Sequence, residues 1–120
     1  MRRTKVEEGV RHIASPQVLR GGRGVIRRDA PVLTTEVHRN SNEALDLLQT
    51  LSALGGYEVF EVVGEVCGLR RDCRNLLNLP TLRRPMLRWH KAVRSAIDTG
   101  VLRQVVGTQW ARPEKTTLVS

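Results

Sequence analysis

EVFEVVGEVC, residues 58–67, is the ambiguous segment on which the assignment of its neighbours depends. Its β-branched content favours a strand. Its period points the other way. Val59, Val62, Val63 and Val66 recur at i, i+3, i+4 and i+7, while Glu58, Glu61 and Glu65 share the opposite face. Strict alternation would put Glu61 among apolar side chains, at a cost in desolvation. The spacing therefore predicts a helix, with Gly64 as a point of close packing.

Working outward, the segment before it reads as another helix. Asn40 to Glu43 has capping-box spacing, Ala44, Leu47, Leu48, Leu51 and Leu54 form one apolar face, and Gly55–Gly56 end the run. After it, Gly68 and Leu69 make a break, and RRDCRNLLNL (residues 70–79) reads as a short third helix closed by Pro80 and Thr81. PMLRWHKAVRSAIDTGVLRQVV, residues 85–106, reads as a basic amphipathic helix, a glycine stop and a strand. Met86, Trp89, His90, Val93, Ala96 and Ile97 line one side of that helix; Arg84, Arg88, Lys91, Arg94 and Ser95 fall on the other. Pro85 suits the first helical position and Gly100 the left-handed stop. VLRQVV and QWAR around Gly107–Thr108 predict a two-stranded hairpin.

Residues 1–40 carry no sustained period. Pro16 and Pro31 interrupt them, and Gly21, Gly22 and Gly24 surround Arg20 and Arg23. They read as a basic, extended or partly disordered arm beside a helical domain over 41–112, with a frayed tail over 113–120. The expected fold class is mainly α with a small β-hairpin: three to four helices and an extended N-terminal arm.

The chain has 120 residues and a formal charge of +8, with 17 Arg to 3 Lys. Residues 1–40 carry +5, 41–80 carry −3 and 81–120 carry +6. Basic flanks around an acidic middle suit a polyanion partner, and arginine's planar fork matches phosphate. Tyr57, Phe60, Trp89 and Trp110 are the only aromatics, too few for a base-stacking platform. Cys67 and Cys73 with His12, His38 and His90 make no recognised ligand spacing, so neither a metal nor another cofactor is expected, and the two cysteines predict no disulfide framework. GGRG lacks the Lys-Ser/Thr of a phosphate loop, and the expectation is not an enzyme. No apolar run approaches the ~20 residues of a membrane span. The start, MRRTKVEEGVR, has no continuous apolar core, and an intracellular, reducing compartment is expected.

Taken in order, LLQTLSALGG, EVVGEVCGL and KAVRSAIDTGVLRQV resemble the winged helix-turn-helix family of DNA-binding domains, over roughly residues 42–112. The resemblance implies that the last stretch is a recognition helix running into a wing. It departs from the family in the sixteen residues from Leu69 to Arg84, where a tight turn belongs. Either a short helix is inserted there, or Arg70–Asn78 is itself the reader.

The favoured groove-reading set is Arg88, Lys91, Arg94 and Ser95, flanked by Arg84; the other is Arg70, Arg71, Arg74 and Asn75. Arg103 and Arg112 would sit against backbone phosphate or minor groove, and Arg23, Arg27 and Arg28 of the arm would track phosphates. The expected function is a small DNA-binding regulator or architectural factor of bacterial or phage type, dimeric, cytoplasmic and nucleoid-associated. The alternatives are an RNA-binding or structural subunit of a large assembly, ribosomal or virion, and a protein-binding adaptor using the Glu58, Glu61 and Glu65 face.

Overall fold

A computed structural model describes residues 10–64, 67–81 and 87–113. It corrects the fold class. The chain is a mixed α/β domain built on one five-stranded sheet. In chain order the elements are β1 (Val10–Ile13), α1 (Pro16–Gly21), α2 (Arg23–Asp29), β2 (Val32–His38), α3 (Asn42–Leu54), β3 (Tyr57–Val62), β4 (Cys73–Pro80), α4 (Leu87–Asp98) and β5 (Leu102–Val105). The strand order is β1-β2-β4-β3-β5. β1 and β2 are parallel, and the other pairs are antiparallel.

The helix expected from residue 58 and the short helix expected over 70–79 are therefore strands. YEVFEV forms β3, and CRNLLNLP forms the central strand β4. Helices cover both faces of the sheet, so apolar residues stand on both sides of β2, β3 and β4 and the period of two disappears. Val59 lies in the core with Leu33, Leu76 and the α3 residues Leu47, Leu48 and Leu51. Its neighbour Phe60 packs on the other face with Val32, Leu79, Leu102 and Val93 of α4. Of the valines on the helical period, Val59 serves one core and Val62 packs on the other, Val63 lies past the strand, and Val66 lies outside the described residues.

The expected arm is also replaced. Residues 10–38 supply two strands and two short helices, with Leu19, Ile26, Val32 and Leu33 buried. Ser15 caps α1 by accepting from the Val18 N–H, and Pro16 starts the helix. Short helices are what a parallel β1–β2 pair needs, because its connection must cross over the sheet.

Two helices form where the sequence places them. In α3, Ser41 rather than Asn40 caps the N-terminus, and Gly55 at φ +78° ends it. α4 ends at Asp98, and Gly100 at φ +82° turns the chain into β5. The expected hairpin is absent: β5 pairs with β3, Glu61 lying opposite Arg103, and Gln109–Arg112 lie outside the strands.

Thr35 of β2 is 3% exposed, and its Oγ1 has no hydrogen-bond partner. Valine keeps the shape and removes the orphaned hydroxyl. Thr35→Val is expected to stabilise the fold by about 1 kcal/mol, raising the thermal midpoint by roughly 3–5 °C. A melt in which the variant unfolds earlier would show that the hydroxyl is satisfied.

Candidate polyanion-binding surface

β1, β2 and β3 run in one direction, so their carboxyl ends share one edge of the domain with the starts of β4 and β5. In open α/β sheets ligands settle outside the carboxyl ends of the strands. Here that end is rich in arginine.

At its centre is Glu61, 4% exposed, on the α3 side of β3. The Trp110 Nε1–H donates to Glu61 Oε1 at 2.9 Å. Arg74 Nε stands 3.3 Å from Oε2, and Arg103 Nη1 stands 3.8 Å from Oε1. The carboxylate that argued against a strand is thus buried with partners. Arg74 comes from the adjacent strand β4, and Arg103 lies directly opposite on β5.

Arg39, just past β2, lies over the Trp110 ring at 4.9 Å from its centroid, and its Nε donates to the Trp110 carbonyl at 2.6 Å. The Arg112 N–H donates to the Arg39 carbonyl, which brings a fourth arginine to the group. Burial and, next, the neighbouring Arg112 lower the Arg39 pKa; Glu61 opposes them, and Arg74 and Arg103 add to the lowering. Like charges are crowded here.

The segment between β3 and β4 adds Arg70 and Arg71. Arg70 forks Asp72 through Nε at 2.9 Å and Nη2 at 2.7 Å. Partial desolvation pushes the Asp72 carboxyl up, but the Arg70 fork and the Asn40 N–H outweigh it and hold the group below its ordinary value. Asp72 also ties the segment to β2, since its carbonyl accepts from the Arg39 N–H at 2.8 Å. Arg74 Nη1 donates to the carbonyls of Arg71 and Cys73. The group therefore holds five guanidiniums, from Arg39, Arg70, Arg74, Arg103 and Arg112, around the carboxylates of Glu61 and Asp72, and the exposed Arg71 adjoins it through its backbone carbonyl. Glu43 lies to the β1 side, beside Ile13 and Ser15.

The residues singled out in sequence divide among three places. Arg70, Arg71, Arg74, Arg103 and Arg112 meet at this end, on strands and connections rather than on a recognition helix. Asn75 is a half-buried strand residue of β4, so the alternative reader over 70–78 is not a helix. Lys91, Arg94 and Ser95 are exposed on α4, while Val93 turns inward. Arg84 lies outside the described residues, as does the Arg88 side chain. Arg23, Arg27 and Arg28 sit on helix α2, not on a tail. Arg23 and Arg27 line a groove against α3 with Arg20, which pairs with Asp46 at 2.8 Å, and Arg28 pairs with its neighbour Asp29.

Sequence reasoning missed Arg39 as a partner and placed Glu61 on a solvated helix face. Only a strand reading of residues 57–62 would have aligned Glu61 with Arg103. The two cysteines, for which no disulfide framework was expected, are joined, with Cα atoms 5.1 Å apart. Among the described residues no helix is long and apolar enough to cross a membrane. No protein-family model, curated protein or solved structure matches this chain.

Proposed function

We propose that this chain binds double-stranded DNA through its phosphates, with the arginine-rich end of the sheet as the contact surface. One observation carries the reading: five guanidiniums gather where the sheet ends, around two carboxylates, with the exposed Arg71 beside them in the chain. Arg103 and Arg112 are exposed there; the buried Glu61 pairs across the sheet with Arg103, and the Arg112 backbone is held by the Arg39 carbonyl. Phosphates would relieve the like-charge crowding and accept the unused donors.

The described aromatics favour duplex over single strand. Phe60 and Trp110 are buried, Arg39 covers the Trp110 ring, and the Tyr57 hydroxyl donates to the Pro31 carbonyl. Base stacking on them would require their release. Lys91 and Arg94 on α4 extend the cationic surface. On this reading the protein acts in the cytoplasm at the nucleoid as a homodimer, regulating or shaping DNA, and RNA is the competing polyanion.

A second reading has its own support, from topology. The carboxyl ends of β1 and β2, a parallel pair joined by helices, are where a small phosphorylated ligand would bind.

Titration of random duplex DNA, single-stranded RNA and a mononucleotide at two salt concentrations separates these readings. The expected result is tighter duplex binding, with log K falling by about 0.9 per log unit of salt for each phosphate neutralised. Preference for the mononucleotide would establish the second reading. Salt-independent binding, or none, would end both.

A further inference from the structure

The face of the β2–β4 pair that points away from α3 carries a set of metal-type ligands that the arginine surface does not use. Glu36 and His38 are two residues apart on β2, and Cys73 lies directly opposite His38 on β4. Successive side chains alternate across a strand, so these three stand on one side of the sheet. Cys67 joins them through its bond to Cys73. A carboxylate oxygen of Glu36 and the two sulfurs lie within 4.8 Å of one another. Glu36 is exposed, Cys67 half-buried and Cys73 buried, so an ion could enter from the Glu36 side.

We infer that Cys67, Cys73 and Glu36 form a zinc site that exists only when the disulfide is open, with His38 placed to supply the fourth ligand. Two thiolates, a carboxylate and an imidazole are a zinc-type donor set. Tetrahedral zinc with bonds of about 2.3 Å to sulfur sets its two sulfurs about 3.8 Å apart. A Cα separation of 5.1 Å lets side-chain rotation reach that spacing.

Opening requires a reductant, here a dithiol. One of its thiolates attacks a protein sulfur, and the other protein sulfur leaves as thiolate. The second dithiol sulfur then displaces the first protein sulfur, closing the reagent's own disulfide. Two electrons and two protons pass to Cys67 and Cys73, and the arriving Zn²⁺ displaces the two protons. The disulfide and the metal thus exclude each other.

The test uses the whole chain, oxidised and dithiol-reduced, with Co²⁺ and Zn²⁺ alone as probes. The reduced chain should take one Co²⁺ with thiolate-to-cobalt charge-transfer absorption, and the oxidised chain none. Zn²⁺ should raise the melting temperature of the reduced chain only, because it binds the folded dithiol form. Cys67→Ser should remove most of the charge-transfer intensity. Glu36→Gln, a neutral change at an exposed strand position, should weaken binding by roughly tenfold or more, the loss that even an outer partner of a ligand causes. A reduced chain that takes no metal overturns the site, and so does a Glu36→Gln variant that binds as tightly as the native chain.

Discussion

Glu61→Ala is expected to cost about 3–5 kcal/mol, the usual loss when one partner of a buried ion pair is removed. Glu61 is 4% exposed and receives Trp110 Nε1–H at 2.9 Å and Arg74 Nε at 3.3 Å. Its removal leaves the Arg74 charge, whose side chain is 25% exposed, without a counter-ion, and strands the indole N–H in the core. Arg103, 61% exposed, can turn to water and adds little. Domains of this size have roughly 5–15 kcal/mol in hand, so the loss is at least about a fifth of the total. Urea denaturation measures the loss, and Glu61→Ala combined with Arg74→Met should recover much of it. A single-variant loss under about 1 kcal/mol would show that the carboxylate is not the element holding this corner together.

Arg71, Arg103 and Arg112 changed together to Gln should weaken duplex binding roughly a hundredfold at moderate salt, and should lower the magnitude of the salt slope by about 2.7 if each meets one phosphate. All three are exposed. The set spares the Arg70–Asp72 fork and the Arg39–Trp110 stack, so the fold should survive, as circular dichroism would show. Lys91→Gln with Arg94→Gln is the comparison. Should that pair abolish binding while the triple change does nothing, the contact surface is the outer face of α4 and the arginine end is structural.

What was legible in the chain is what local chemistry specifies. The α3 helix has a one-sided leucine stripe and a glycine stop, both visible within fifteen residues, while the cap fell on Ser41, one residue past the Asn40 that the spacing suggested. α4 and Gly100 are the same case. β3 and β4 were not legible, because a strand covered on both faces has no polar side to set its period. α1 and α2, of six and seven residues, are too short to show one. The site was half visible for the same reason. Arg70, Arg71, Arg74, Arg103 and Arg112 stand out as cations, but only the pairing of β4, β3 and β5 brings Arg74 and Arg103 to one carboxylate. Arg39 and Glu61 had no local signal at all, since their roles come from contacts with residues 71 and 49 positions away.

The central place of β4 has a consequence for how the chain is made. β2 and β3 precede it in sequence yet flank it in space, so neither can close its inner edge on the ribosome before Pro80 has emerged. At about 5–20 residues per second, the eighteen residues from Val63 to Pro80 delay that closure by about 1–4 seconds, and Phe60 waits longer still for Val93 and Leu102. During that interval the nascent polypeptide presents two sticky ribbons with a gap between them, a shape suited to a holding chaperone, and its last-made middle strand is the one that releases it.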